Sequence, residues 1–143
     1  MPEKFTEINE DSLRVMLTDF YNKVRQDDLI GPIFIGKIGT TDADWAPHME
    51  RVVAFWCSVL LNSKTYGGGF MMKHAHIPNL EMVHFRRWIE LFMPSVSDHF
   101  AVSQSIEITI KAQTLMRNLQ QQYNQIQKRI AEFPPACLQG HCE

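Results

Sequence analysis

The chain has 143 residues, of which 45% are hydrophobic and 21% are charged, and its formal net charge is −2. This length allows one domain with a single core, and the composition excludes a wholly disordered chain. A net charge so close to zero gives no electrostatic reason to expect nucleic acid or an anionic membrane as a partner. No apolar run approaches the roughly 18 residues that cross a bilayer, and the polar, acidic start differs from a signal peptide. We therefore expect a cytoplasmic protein.

The first predicted helix begins at Asn9 or Ser12 and ends at about Gln26. Apolar residues recur along it at helical spacing and form one face. That face contains Leu13, Met16, Leu17, Phe20, Tyr21 and Val24. The pair Gly31-Pro32 then predicts an end to any regular structure.

The second predicted helix begins near Thr41 and ends at about Asn62. Thr41 and Asp44 have the spacing of a capping box, with Asp in place of the usual Glu. The apolar positions are Trp45, Met49, Val52, Val53, Trp56, Val59 and Leu60. Pro47 is tolerated in the first turn, where its missing N–H costs little. Cys57 lies in this apolar run and is expected to be a buried, inert thiol.

A link of sequence SKTYGGGFMMKHAHIP follows, and three successive glycines predict a loop with at most one or two turns of helix. The third long helix is expected to begin after Pro78, with Asn79 as its cap, and to end or kink at Pro94. The last helix begins around Ser103 and ends before Pro134-Pro135. Its apolar residues are Ile106, Ile110, Leu115, Met116, Leu119, Tyr123, Ile126 and Ile130.

Four long helices without alternation of period two predict an all-α fold. Residues 1–133 form the predicted domain, and residues 134–143 form a tail that we expect to be flexible. The tail carries Cys137, His141 and Cys142, but their spacing matches no standard zinc pattern. A frayed tail is therefore favoured over a soft-metal site.

The long link is the place where a functional residue is expected, because loops carry function more often than they carry packing. A neutral imidazole such as His74 is a common ligand of iron, copper and zinc. One imidazole suffices when haem brings its own four nitrogens. Judged by residue type alone, an ordinary core or surface histidine is still the favoured interpretation. His76 lies two residues further on, where a side chain on a helix points elsewhere, and has no assigned role.

Three residues on the predicted helices allow similar alternatives. His48 begins an otherwise apolar face, so it is either a solvent-facing histidine or one that faces a cavity with polar contents. Tyr21 and Trp88 are ordinary core residues or a pair of hydrogen-bond donors. Two such donors in one apolar cavity suit a small ligand that gains negative charge on binding a metal.

Four segments in this order resemble the group III truncated haemoglobins: DFYNKVRQDDLIGPIF, DWAPHMERVVAFW, YGGGFMMKHAHIP and FRRWIELF. The order of the segments, and the spacing from Tyr21 through His48 to His74 and Trp88, carry the resemblance. It covers roughly residues 5–125. The resemblance implies a two-over-two helical sandwich around haem b, which is iron protoporphyrin IX.

The resemblance also implies roles for individual residues. His74 corresponds to the proximal iron ligand, and Tyr21 corresponds to the distal tyrosine that donates to bound oxygen. His48 and Trp88 correspond to the distal histidine and the pocket tryptophan. The implied haem contacts are Phe34 against the haem face, Val52 and Phe55 as pocket lining, and Arg51 at a propionate, with Tyr66 and Lys73 as weaker candidates.

The function implied by the resemblance is binding of O₂, with NO and peroxide as further ligands. Two distal donors favour tight retention, which suits scavenging, sensing or detoxification better than long-distance transport. The alternative is a peroxidase or nitric-oxide dioxygenase that uses the same pocket. Such an enzyme needs an external reductase, because the chain has no flavin or nicotinamide fingerprint. A third interpretation is a cofactor-free helical interaction module.

Overall fold

Five helices account for most of the residues that the structure, a computed structural model, describes, namely 3–62, 77 and 80–132. They are α1 (Glu10–Gln26), α2 (Gly31–Ile38), α3 (Asp42–Leu61), α4 (Met82–His99) and α5 (Val102–Glu132). A single parallel bridge between Phe5 and Phe100 is the β-structure within these ranges. The predicted all-α fold is confirmed. None of the described helices is long and apolar enough to cross a membrane.

Side-chain caps determine where α1 and α3 begin. The Asn9 carboxamide accepts a hydrogen bond from the Ser12 N–H at 2.8 Å, and the Ser12 hydroxyl accepts from the Asn9 N–H at 2.9 Å. Thr41 and Asp44 form the same reciprocal pair at 3.1 and 3.2 Å. The capping box predicted for α3 is thereby confirmed. Both helices use local hydrogen bonds to satisfy N–H groups that have no partner inside the helix.

Helix α2 shows that the prediction for Gly31-Pro32 was wrong, because these residues begin a helix. A proline in the first turn loses no helical hydrogen bond, and its φ is already close to the helical value. Gly31 is required by packing, since a Cβ at this position would lie 2.9 Å from the Val24 carbonyl oxygen of α1. Phe34 is therefore carried by a helix that packs against α1 and α3.

Helix α4 begins later than predicted, and of the two alternatives predicted for Pro94, an end or a kink, the end is wrong. Its first residue is Met82, with Glu81 as the N-cap, and the predicted cap Asn79 lies outside the described residues. Pro94 does not end the helix, which continues to His99. The proline removes one main-chain hydrogen bond. Burial of Val96 and of Phe100 just beyond the helix end compensates for that loss.

The core lies mainly around α1, which packs against α3 and α4, while α4 also packs against α5. The predicted face of α1 is buried from Leu13 to Val24, which confirms the helical stripe. Cys57 is buried and free, and burial raises the pKa of its thiol, as expected for an inert cysteine. A smaller cluster contains Phe85, Leu119 and Tyr123.

The first half of α5 buries one of its two apolar stripes. Ile108 and Ala112 are buried in the main core, whereas Ile106 and Ile110 are 54% and 58% exposed. The difference arises because α5 packs against α4, so the stripe on the far side of the helix is left at the surface. Apolar spacing along α5 does not by itself identify the buried side.

Candidate functional site

A cavity of about 360 Å³ lies between the helices, within the size range of ligand and cofactor sites. All five helices contribute to its lining, together with Ile77 and Leu80 before α4. Every predicted site residue within the described ranges lines this cavity: Tyr21, Phe34, His48, Arg51, Val52, Phe55 and Trp88. The predicted residues His74, Tyr66 and Lys73 lie outside the described residues.

Tyr21 is the central polar residue of this cavity. Its side chain is 7% exposed, and its ring centroid lies 5.3 Å from that of His48 and 5.9 Å from that of Phe34. Burial raises the pKa of Tyr21 well above its usual range, and a hydrogen-bonding interaction with the Trp88 indole offsets part of this rise. The phenol is therefore protonated at neutral pH and is available as a donor.

His48 is held by aromatic contacts on two sides. Its ring meets those of Tyr21 and Trp45 edge to face, at centroid distances of 5.3 and 5.2 Å. Trp45 is itself anchored, because its indole N–H donates to the Gly39 carbonyl at 2.9 Å. The Arg25 guanidinium lies over the Trp45 ring, 5.0 Å from its centroid. The first turns of α3 thus bring an imidazole beside the buried phenol.

Trp88 belongs to a stack of aromatic rings in the core. It lies 4.6 Å from Phe92 with an interplanar angle of 14°, and 6.5 Å from Trp56 with an angle of 12°. Phe20 meets the Trp88 ring edge to face at 5.0 Å. This packing restricts the indole to one orientation, so its interaction with the Tyr21 hydroxyl has a stable geometry.

An ion pair sets the position of α4 relative to α1 and α2. The Arg87 Nε and Nη2 atoms lie 2.8 and 2.7 Å from one oxygen of Asp27, whose side chain is 5% exposed. The other oxygen accepts from the Leu29 and Ile30 N–H groups. Burial acts to raise the pKa of Asp27, but these bonds outweigh it and hold the pKa below its usual value.

Three residues with basic side chains also line the cavity. Arg51 of α3 was predicted, whereas Lys37 of α2 and His84 of α4 were missed. Lys37 lies three residues after Phe34, a spacing that places two side chains on one helical face. Predicting α2 as a helix would have identified it. His84 also caps α4, because its ring accepts a hydrogen bond from the Glu81 N–H at 2.9 Å. Its sequence position near the start of a helix gives no sign that it also lines the cavity.

The wall formed by Leu80 and by residues of α4 and α5 was also missed. Leu80, Phe85, Met116 and Leu119 line the cavity there. Each of these residues is apolar, and the sequence does not distinguish an apolar residue that lines a cavity from one that packs in the core. Among the described residues, no group of three or more histidine, cysteine or acidic side chains is placed to hold a metal ion.

Comparison with known proteins identifies the family. No family model matches the chain. The chain is 33% identical over 117 residues to the group 3 truncated hemoglobin ctb of Campylobacter jejuni subsp. jejuni, a match that covers 82% of this chain and 92% of that protein. The crystal structure of the group III truncated hemoglobin from Campylobacter jejuni superposes with a TM-score of 0.80, at 33% identity, over 83% of this chain and 94% of that one. The chain therefore belongs to the group III truncated haemoglobins and has their truncated globin fold.

Proposed function

We propose that this protein binds haem b, with His74 as the iron ligand, and that the bound haem would bind O₂ and related diatomic gases beside Tyr21, His48 and Trp88. The observation that carries the proposal is the convergence of Tyr21, His48 and Trp88 on one cavity of cofactor size. The family relationship supports the same conclusion. Ile77, three residues after His74, lines this cavity as well.

The described lining suits a porphyrin in its apolar surface and in its charge. Phe34, Val52 and Phe55 offer apolar surface to the macrocycle, and Arg51 and Lys37 are cations suited to its two carboxylates. Tyr66 and Lys73 are further candidates for the propionates. A single protein imidazole suffices because the porphyrin supplies four nitrogens. When bound, the haem iron supplies an open coordination position for a gas molecule.

Tyr21 and Trp88 give the pocket its selectivity for ligands that gain negative charge on the metal. The Tyr21 phenol is buried and keeps its proton, so it can donate to such a ligand. A charge-assisted hydrogen bond in a dry site contributes about 1.5–3 kcal/mol. Since each 1.4 kcal/mol is a factor of about ten in a rate or equilibrium constant, such a bond slows ligand release strongly. Slow release suits scavenging, sensing or detoxification.

The optical spectrum of the purified protein, supplemented with haem, tests the proposal. We expect a Soret band, a ferrous spectrum that changes on addition of O₂, and loss of the five-coordinate ferrous signature in His74→Ala. His76→Ala is the matched control from the same segment and should keep the wild-type spectrum. Absence of a Soret band in the wild-type protein, or an unchanged spectrum in His74→Ala, would refute the proposal.

Catalytic turnover is a separate question at the same site. A peroxidase or nitric-oxide dioxygenase needs electrons from outside the chain, so an unidentified reductase would be its partner. Steady-state consumption of peroxide or NO with a reductant distinguishes that enzyme from a gas-binding protein. Sustained turnover would assign catalysis to this pocket, and a single stoichiometric reaction would assign binding.

A further inference from the structure

Tyr123 of α5 forms two hydrogen bonds with the main chain of the segment that leads into α4. Its hydroxyl donates to the Ile77 carbonyl oxygen at 2.5 Å and accepts from the Leu80 N–H at 3.1 Å. The two contacts span 46 and 43 residues of sequence. A tyrosine hydroxyl has one proton to donate, and the Tyr123 hydroxyl donates its proton to the Ile77 carbonyl oxygen.

The Tyr123 hydroxyl is held at a fixed place by the packing of its ring. The side chain is 2% exposed and meets the Phe85 ring at a centroid distance of 5.9 Å. Leu119, Leu80 and Met116 complete this cluster. A buried hydroxyl without partners would cost about 1–3 kcal/mol, so the packed ring and the two hydrogen bonds stabilise each other.

The anchored segment adjoins the proposed iron ligand. Ile77 follows His74 by three residues, and both Ile77 and Leu80 line the cavity. Tyr123 lies behind that wall, against Phe85, Met116 and Leu119. Its hydroxyl therefore acts on the cavity through the main chain and not by contact with a ligand.

We infer that Tyr123 is a positioning residue: its hydrogen bonds to the Ile77 carbonyl oxygen and the Leu80 N–H fix main-chain groups that follow the proposed iron ligand His74 closely in sequence. The inference rests on the proposed haem ligation by His74. It assigns to α5 a role in setting the strength of the iron–imidazole bond. It also explains a buried tyrosine in a cluster that is otherwise apolar.

Tyr123→Phe tests the inference, because it keeps the ring and removes the hydroxyl. Hydrogen exchange of the Leu80 amide should become faster in the haem-free protein, since that N–H loses its acceptor. In the haem-bound protein, the iron–histidine stretching band of the ferrous state should shift or broaden, and haem should be lost about tenfold faster. Ile108→Val is the matched control: it lowers stability from a buried position of the same helix that belongs to the main core and not to the cluster of Tyr123.

Three results would overturn the inference. Unchanged exchange of the Leu80 amide would show that the anchor does not exist. Faster exchange, combined with a stretching band and a haem-loss rate equal to those of Ile108→Val, would show that the anchor does not position the ligand. A wild-type protein that takes up no haem would refute the proposed function and remove the basis of this inference. The Leu80 amide would still report whether the anchor exists, so the two failures are distinguishable.

Discussion

Two buried tyrosines, Tyr21 in the lining of the cavity and Tyr123 behind it, illustrate how the same side chain serves two purposes. Tyr21 lines the cavity beside His48, and its hydroxyl interacts with the Trp88 indole. Tyr123 lies behind the wall of Phe85, Met116 and Leu119, and both of its hydrogen bonds go to the main chain. One phenol can therefore act on a ligand, whereas the other acts on the backbone.

The difference between the two sides comes from the hydrogen-bond partners available to each. The side formed by Tyr21, His48 and Trp88, here called the polar wall, places its polar atoms among aromatic rings. The side formed by Leu80, Phe85, Met116 and Leu119, here called the apolar wall, presents hydrocarbon to the cavity. Polar atoms that face a cavity can recognise a ligand, and polar atoms that bind the backbone determine its shape.

The largest expected effect is that of Tyr21→Phe on release of O₂. Loss of one donor worth about 1.5–3 kcal/mol should raise the dissociation rate about ten- to hundredfold, with little change in haem loss. Stopped-flow displacement of O₂ by CO measures the rate. Tyr123→Phe makes the same chemical change behind the apolar wall and should have the reverse pattern, with faster haem loss and a smaller effect on O₂ release. Equal effects of the two substitutions on O₂ release would contradict the comparison.

A smaller effect is expected where α4 is tied to α1, because α4 supplies Phe85 to one wall and Trp88 to the other. Asp27→Asn removes the charge that binds Arg87 and should lower the free energy of unfolding by about 2 kcal/mol at neutral pH. Denaturant unfolding measures the change. The exposed neighbour Asp28 provides the matched control, and Asp28→Asn should have an effect within about 0.5 kcal/mol.

The effect of Asp27 should also depend on pH. Because its folded-state pKa is lowered, its stabilisation is fully present above the unfolded-state pKa of about 3.9 and is lost as the pH falls through the folded-state value. The difference in stability between wild type and Asp27→Asn should therefore shrink below about pH 4. A difference that stays constant between pH 7 and pH 3 would show that the carboxylate charge is not its source.

The smallest effect is expected for a substitution at Gly39, whose carbonyl accepts from the Trp45 indole that packs against His48 in the polar wall. Gly39 has a φ of 127°, and a Cβ there would overlap the Asp44 carboxylate. Gly39→Ala should lower stability by about 1 kcal/mol. Gly36→Ala is the control, because a Cβ at that position in α2 meets nothing within 4 Å, and it should raise stability by about 0.4–1 kcal/mol. Thermal unfolding of both variants measures the contrast, and a loss of stability in both would argue against it.

Local sequence signals predict much of this fold. The apolar stripe of α1 and the Thr41–Asp44 capping box are both borne out, because each depends on residues within one or two helical turns. The resemblance to the family supplied Tyr21, His48 and Trp88, which the structure brings to one cavity. For these residues, helical spacing alone is equally consistent with ordinary core packing.

Features that depend on residues far away in sequence could not be predicted from local sequence patterns. Gly31-Pro32 begins α2 because the helix packs closely on the end of α1, and α4 continues past Pro94 because the residues after it are buried. The outward position of Ile106 and the buried position of Ile108 follow from where α4 lies.

Periodicity and capping thus determine which segments of this chain are helical, since those interactions are made between near neighbours along the backbone. Packing between helices determines which faces are buried and which side chains meet at the cavity. The hydrogen bonds of Tyr123 to Ile77 and Leu80 require α5 to be packed against α4. Contacts between residues more than 40 positions apart in sequence depend on how whole helices are arranged. A short stretch of sequence does not determine that arrangement.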